Sequence, residues 1–370
     1  MAEPSAKKRP QIKNSQVGLT EDDYQAVMRV LHSGNLRQGA VTRSFENAFQ
    51  EKTNAGYAVA VNSGTAALHL AYLSLLKPGD EVLVPAFTFF ATASMLVAMN
   101  AVPVFCDIDP ATWTLDHASA EKMITPKTQA VVGVHLFGNT CDVNAIEKLA
   151  RKFKLKMIWD AAQACGARYA GRDVAAIPDI ACFSFYPSKN MTTGEGGMVT
   201  THDEKLAKKV GLLRSHGESE RYVHTEIGYN YRMTDIGAAL GLGQLERLNA
   251  SLERRKAVAE IYTAFFSHHP YFEIQKISDL CEPSWNYFSI ALKDKAPIAR
   301  DALLKLLADE GIGCAVHYPT PLHDQPCMRA YRRGSLPVSE GLAKRILSLP
   351  MHPFLGEEEV RHILHVLSGL

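Results

Sequence analysis

The chain has 370 residues, 46% hydrophobic and 21% charged, which excludes disorder as its main state and supplies apolar material for one large core or two ordinary ones. Its 40 Lys and Arg against 39 Asp and Glu leave a formal net charge of +1, so no global field gathers nucleic acid or an anionic membrane. Seven scattered cysteines without a C-x-x-C pair read as reduced, buried thiols. With no signal-peptide stretch and no apolar run near the roughly 18 residues of a membrane span, a cytoplasmic location is expected.

Residues 1–16 are polar and basic, with Lys7, Lys8, Arg9 and Lys13 against Glu3, and read as a flexible tail. Thr20 followed by Asp23 predicts a capped helix running to the Gly34 region. From residue 57 onward the short β-rich runs YAVAVNS, EVLVPAF, VPVFCDI, TQAVVGVHL, LKMIWD, IACFSFY and GGMVTT predict buried strands. The helical stretches TAALHLAYLSLL, FATASMLVAMN and VNAIEKLARKF alternate with them, which is the pattern of an open, mainly parallel α/β sheet covered on both faces. A long helical pattern from Thr234 predicts a bridge to a smaller α+β domain, in which strand-like WNYFSIAL is mixed with helices over 297–311, 339–348 and 356–370. The expected division is therefore a tail over 1–16, a large domain over 17–249 and a small C-terminal domain over 250–370.

Asn62-Ser63-Gly64-Thr65 follows a strand and opens an apolar helix, so its free N–H groups suit an anion such as phosphate, although Ser-Gly-Thr is also an ordinary N-cap. No Walker lysine spacing and no G-x-G-x-x-G occurs, which counts against nucleoside-triphosphate and dinucleotide readings. Asp160 ends a strand at the carboxyl edge of the sheet, where open α/β folds bind ligands; the competing reading is a cap for a helix over AAQACGA. Lys189 lies just past the strand that ends Phe183-Ser184-Phe185-Tyr186, in a turn of small residues and glycines. Desolvation there would lower its pKa and favour the neutral amine that attacks carbonyls; a solvated loop lysine is the alternative. Together, a phosphate cup, a carboxylate to keep a pyridine nitrogen protonated and a lysine to hold an aldehyde are the three grips that pyridoxal phosphate needs. HExxH is absent and the histidines lack ligand spacing, so no metal is expected.

Six ordered segments, NLRQGAVTRSFE (35–46), VNSGTAALHLA (61–71), VPAFTFFATA (84–93), WDAAQACGA (159–167), FSFYPSKNMTTGEGGMV (183–199) and GYNYRMTDIGAALGLGQLERL (228–248), carry a resemblance. From about Gly34 to its C-terminus the chain resembles the DegT/DnrJ/StrS sugar aminotransferases, in the fold-type I group of pyridoxal-phosphate enzymes that includes aspartate aminotransferase. The resemblance implies a large domain with a seven-stranded, mostly parallel sheet and a smaller C-terminal α+β domain. It implies that Lys189 is the Schiff-base lysine, that Asp160 pairs with the pyridinium nitrogen and that Gln163 hydrogen-bonds near the phenolic oxygen. Gly64, Thr65 and the Ser184 hydroxyl resemble the family's phosphate cup, and Phe89 its ring-stacking aromatic, though FTFFATA also reads as an apolar helix start with Phe89 in the core. Asn230 resembles the residue sent across a homodimer interface to the neighbour's cofactor. Tyr231 and Arg232 read as interface packing or as substrate contacts, and His317 and Tyr318 as bordering the substrate cleft. Relatives that dehydrate sugars carry His at the position of Lys189, so the resemblance implies transamination from an amino acid, glutamate by family habit, to a keto-sugar, foremost a nucleotide-linked 3- or 4-keto-sugar. The competing readings are a non-nucleotide cyclic ketone as acceptor, and a catalytically idle sugar-binding or regulatory protein on the same scaffold.

Overall fold

In a computed structural model that describes residues 11–370, the seven β-rich runs become the strands of one sheet. They are β1 (Tyr57–Val61), β2 (Glu81–Pro85), β3 (Val102–Cys106), β4 (Thr128–Val134), β5 (Lys156–Asp160), β6 (Ile180–Ser184) and β7 (Gly197–Thr201), in the order β1-β7-β6-β5-β4-β2-β3. The pairs β2–β3, β2–β4, β4–β5 and β5–β6 are parallel, and β7 runs antiparallel to both its neighbours. Successive side chains enter cores on opposite faces: Val82 and Val84 lie in one and Leu83 in the other, as do Ile158 and Trp159 at the sheet's middle. Burial on both sides is why these strands read as continuous apolar runs.

The helix predicted from Thr20 is α1 (Glu21–Ser33), with a reciprocal Thr20–Asp23 capping box and Gly34 at φ 69° behind it. It is followed by α2 (Ala40–Thr53), by α3 (Gly64–Leu75), whose N-cap Ser63 accepts a bond from the Ala66 amide at 3.1 Å, and by α4 (Ala91–Ala98). The long helix spans Asp235–Phe266 with Thr234 as N-cap. Its first residue explains part of the NLRQGAVTRSFE segment: the buried Asp235 carboxylate accepts from the Gly39 and Thr42 amides at 2.7 and 2.9 Å and from the Thr42 hydroxyl at 2.6 Å, tying the start of α2 to the start of the long helix. Farther along, its Val258, Ala259, Tyr262 and Phe266 join a third core with Phe288, Ile290 and Leu347 of a small antiparallel sheet, ordered β8 (Phe272–Ile274), β9 (Phe288–Leu292) and β10 (Ile346–Leu349).

Three expectations need correction. Residues 1–10 of the expected tail lie outside the described residues, but 11–16 are tied down: Ile12 is buried and bridges Ile312, and the Asn14 side chain donates to Ser348 O and Leu349 O. The helix expected over 339–348 ends at Arg345, because Ile346–Leu349 pairs with β9. No helix follows Asp160; AAQACGA forms consecutive tight turns, with Ala164 N bonded to Ala161 O and Ala167 N to Ala164 O, so Asp160 is not a helix cap. All seven cysteines are free, and five are buried, with Cys314 partly covered and Cys327 exposed. Among the described residues, no helix is long and apolar enough to cross a membrane.

Candidate active site

Because β1, β2, β4, β5 and β6 run the same way, their carboxyl ends gather at one edge. A cavity of about 660 Å³ opens there, lined among others by Gly64, Thr65, Phe89, Asp160, Gln163, Ser184, Lys189, His317 and Tyr318. These nine are all of the predicted cofactor and cleft positions outside the 230–232 group, and they share this one space.

Asp160 closes β5 with 4% of its surface exposed. Burial pushes its carboxyl above the usual range, while a 2.7 Å bond from Thr92 Oγ1, a 3.1 Å bond from the Ala162 amide and the Lys189 charge oppose that push. Lys189 is partly buried, and desolvation lowers its amine to about 8, with Asp160 pulling in the other direction. Burial thus moves the carboxyl up and the amine down, the kind of perturbed pair that functional sites concentrate.

Gly64 makes the floor. A Cβ there would lie 2.6 Å from Ser184 Cβ, so only glycine lets the first turn of α3 approach the end of β6. The amides that follow are the unsatisfied donors of a helix N-terminus. Gly64→Ala is expected to cost about 1–3 kcal/mol of stability through this overlap, read as a lowered thermal midpoint of the cofactor-free chain; an unchanged midpoint would show that the contact yields freely.

Gln163 is fixed at both ends, its Oε1 accepting from the Phe137 amide at 2.7 Å and its Nε2 donating to Tyr318 Oη at 2.8 Å. Phe89 is 55% exposed on the cavity wall, with its ring 6.0 Å from that of Tyr318, so it is not a core residue. His317 bonds Ser348 Oγ at 3.0 Å, and burial together with the Lys189 charge holds its pKa down to about 4, so the ring is neutral. Burial also pushes the Tyr318 phenol up.

Asn230, Tyr231 and Arg232 lie outside the cavity of their own chain. Asn230 is exposed and its carbonyl accepts from Asn62 Nδ2 at 3.3 Å; Tyr231 stacks on Tyr229 at 5.0 Å and bonds His69 Nδ1 at 3.1 Å; Arg232 bridges Val61. Several cavity residues escaped the sequence reading: Asn14, Ser15, His135, Ser188 and Tyr287, with Thr92 behind Asp160. His135 is stacked flat on Trp159 and burial holds its pKa near 3; its place just past β4 was the available signal. Elsewhere, His323, Asp324 and Glu340 bring metal-capable atoms together, but Arg332 already pairs with both carboxylates, at 2.9 and 3.5 Å.

The fold places the chain among the pyridoxal-phosphate-dependent transferases. More narrowly, it belongs to the DegT/DnrJ/EryC1/StrS aminotransferase family, whose profile matches residues 18–368 and whose members depend on pyridoxal phosphate. It is similar to a UDP-N-acetyl-3-dehydro-alpha-D-glucosamine 3-aminotransferase of Acidithiobacillus ferrooxidans, 37% identical over 94% of each chain. It is 38% identical to a GDP-perosamine synthase of Caulobacter vibrioides over 88% of each. The crystal structure of DesV from S. venezuelae superposes with a TM-score of 0.90 at 36% identity, covering 94% of this chain and 93% of that one.

Proposed function

We propose that the chain transfers an amino group from an amino acid, glutamate foremost, to a nucleotide-linked 3- or 4-keto-sugar. The observation that carries this is the meeting of Asp160, Lys189 and the Gly64 floor on one cavity. These residues fit pyridoxal phosphate: the glycine-only approach to Ser184 leaves helix N–H groups open for a phosphate, and a buried carboxylate faces the same space as a desolvated amine. The names of the relatives above, on UDP- and GDP-linked sugars, support the acceptor class.

Pyridoxal phosphate, when bound, supplies an aldehyde that takes up amines and a ring that draws electrons from the donor's α-carbon. The Ser63, Gly64 and Thr65 turn and the Ser184 hydroxyl would hold its phosphate, Phe89 would cover the ring and Gln163 would meet the phenolic oxygen. Asp160 would hold a proton on the ring nitrogen, with the bonds from Thr92 and the Ala162 amide favouring its charged form against burial. Lys189 would act through Nζ as the proton carrier, taking a proton from the donor's α-carbon in the first half of the reaction and delivering one to the sugar carbon in the second. Half-buried, neutral His317 and Tyr318 would border the acceptor side without adding charge. Asn230, exposed and outside its own cavity, is available to the site of a second copy, which supports a homodimer.

The test is borohydride reduction of the chain loaded with pyridoxal phosphate, peptide mapping of the adduct, and then glutamate with UDP- and GDP-linked 3- and 4-keto-sugars alongside free cyclic ketones. An adduct on Lys189 and 2-oxoglutarate release with nucleotide-linked acceptors are expected. Release with free cyclic ketones alone would replace the acceptor class, and a chain that takes up no cofactor would return the idle sugar-binding reading.

A further inference from the structure

Tyr287 reaches the cavity from the entry to β9, far along the chain from every cofactor candidate, and 6% of it is exposed. Its ring lies 5.9 Å from Lys189 Nζ, its hydroxyl is 2.8 Å from Ser188 Oγ next to that lysine, and its other neighbour is the His317 ring, stacked at 4.3 Å. The segment before it is held at several points. Trp285 sits at φ 50°, a strained backbone for a large side chain, and the Tyr287 amide donates to Phe137 O at 3.2 Å.

Arg255 of the long helix does the holding. It is 3% exposed and has no carboxylate partner among the described residues; one nitrogen, Nη1, donates to Trp285 O, Asn286 O and Met351 O at 3.2, 3.4 and 3.0 Å. Burying a guanidinium without a counter-ion is costly, and its surroundings lower its pKa to about 10. The bonds it gains all fall on the backbone flanking Tyr287 and on the start of the turn after β10.

We propose that Tyr287 is a positioning residue for Lys189: its ring seals one side of the amine from water, and its hydroxyl fixes the lysine's backbone through Ser188. This rests on the reading of Lys189 as the reacting amine. Two effects of the ring oppose each other. A cation over an aromatic face is stabilised, but at 5.9 Å the contact is at the outer limit for such attraction. Exclusion of water disfavours the ammonium, and it dominates here, since burial is the largest influence on Lys189. The other titratable groups that line the amine's cavity are Asp160, Glu195, His135, His317 and the phenols of Tyr186 and Tyr318, and of these Asp160 alone is a charge that acts on Lys189 against the burial.

The test is trace acetylation of the full-length, cofactor-free chain across pH, with the Lys189 peptide quantified against surface lysines, in the wild type, Tyr287→Phe and Tyr287→Leu. The wild type should label along a curve centred near 8, and Leu should shift that curve upward, cutting Lys189 labelling at pH 8 by roughly fivefold or more. Phe keeps the ring and should leave the curve at the wild-type midpoint, as sealing by the ring requires, and a Phe curve shifted as far as that of Leu would overturn the proposal. Identical curves for folded wild type and Leu would overturn the proposal. So would a wild-type Lys189 that titrates like a surface lysine; that result leaves adduct formation at Lys189 as an independent test of the function.

Discussion

Lys189→Ala is expected to lower turnover about 10⁴-fold, the scale lost when the proton-transferring group itself is deleted. The same side chain should cost the fold stability. Burial places the amine at about 8 in the folded chain against 10.5 unfolded, so below pH 8 the folded state carries an ammonium it disfavours. That cost is full at pH 7, falls as pH rises from 8, and is gone above about 10.5. Lys189→Met, which fills the space without the charge, should therefore stabilise the cofactor-free chain at pH 7 by up to about 3 kcal/mol, and add nothing at pH 11. Denaturant melts at the two pH values separate this from a packing effect, which would be pH-independent. A Met variant less stable than wild type at pH 7 would mean that the amine is better solvated than its surroundings indicate, and retained turnover would remove Lys189 from the chemistry.

The strands of the main sheet were legible because covering both faces forces continuous apolar runs, and Thr20 with Asp23, and Thr234, announced their helices through capping chemistry that is local. Lys189, Asp160 and Gly64 were legible for a related reason: strand ends in a parallel sheet share an edge, so position along the chain implies position in space. What depended on distant partners was not. Residues 11–16 are polar and basic by composition, yet Ile12 pairs with Gly311 and Gly313 through backbone groups that no local pattern reports. Ile346–Leu349 follows the helix without a break or a turn residue, and only pairing with β9 makes it a strand. Tyr287 looked like one more strand aromatic, since its relation to Ser188 and Lys189 arises where the small antiparallel sheet meets the edge of the large one. In the opposite direction, AAQACGA has helix-forming composition, but Gly166 at φ 81° and successive turns carry the chain away instead.

Asp160→Asn should reduce turnover by about 10²–10³-fold while leaving the fold intact. The amide matches the carboxylate in shape. Its oxygen can keep the Ala162 bond, and its nitrogen can donate to Thr92 Oγ1, whose own proton can turn to Thr88 Oγ1, 3.1 Å away. What changes is charge alone. A neutral amide cannot hold a proton on a pyridine nitrogen, so the ring would lose the electron demand that makes the donor's α-proton removable by Lys189. Stability should move the other way: the folded pKa of Asp160 is raised by burial, so the carboxylate is a cost above that pKa and no cost below 3.8, where it is protonated in both states. The Asn variant without cofactor should then unfold at no lower a temperature than wild type at pH 7, with the difference closing as the pH falls toward 3.8. Thermal unfolding at the two pH values, beside single-turnover kinetics of the loaded variant, measures both effects. A variant that melts far below wild type would show that Thr92 and Ala162 require the charge for packing, whereas an intact variant with full turnover would deny Asp160 its place at the ring nitrogen.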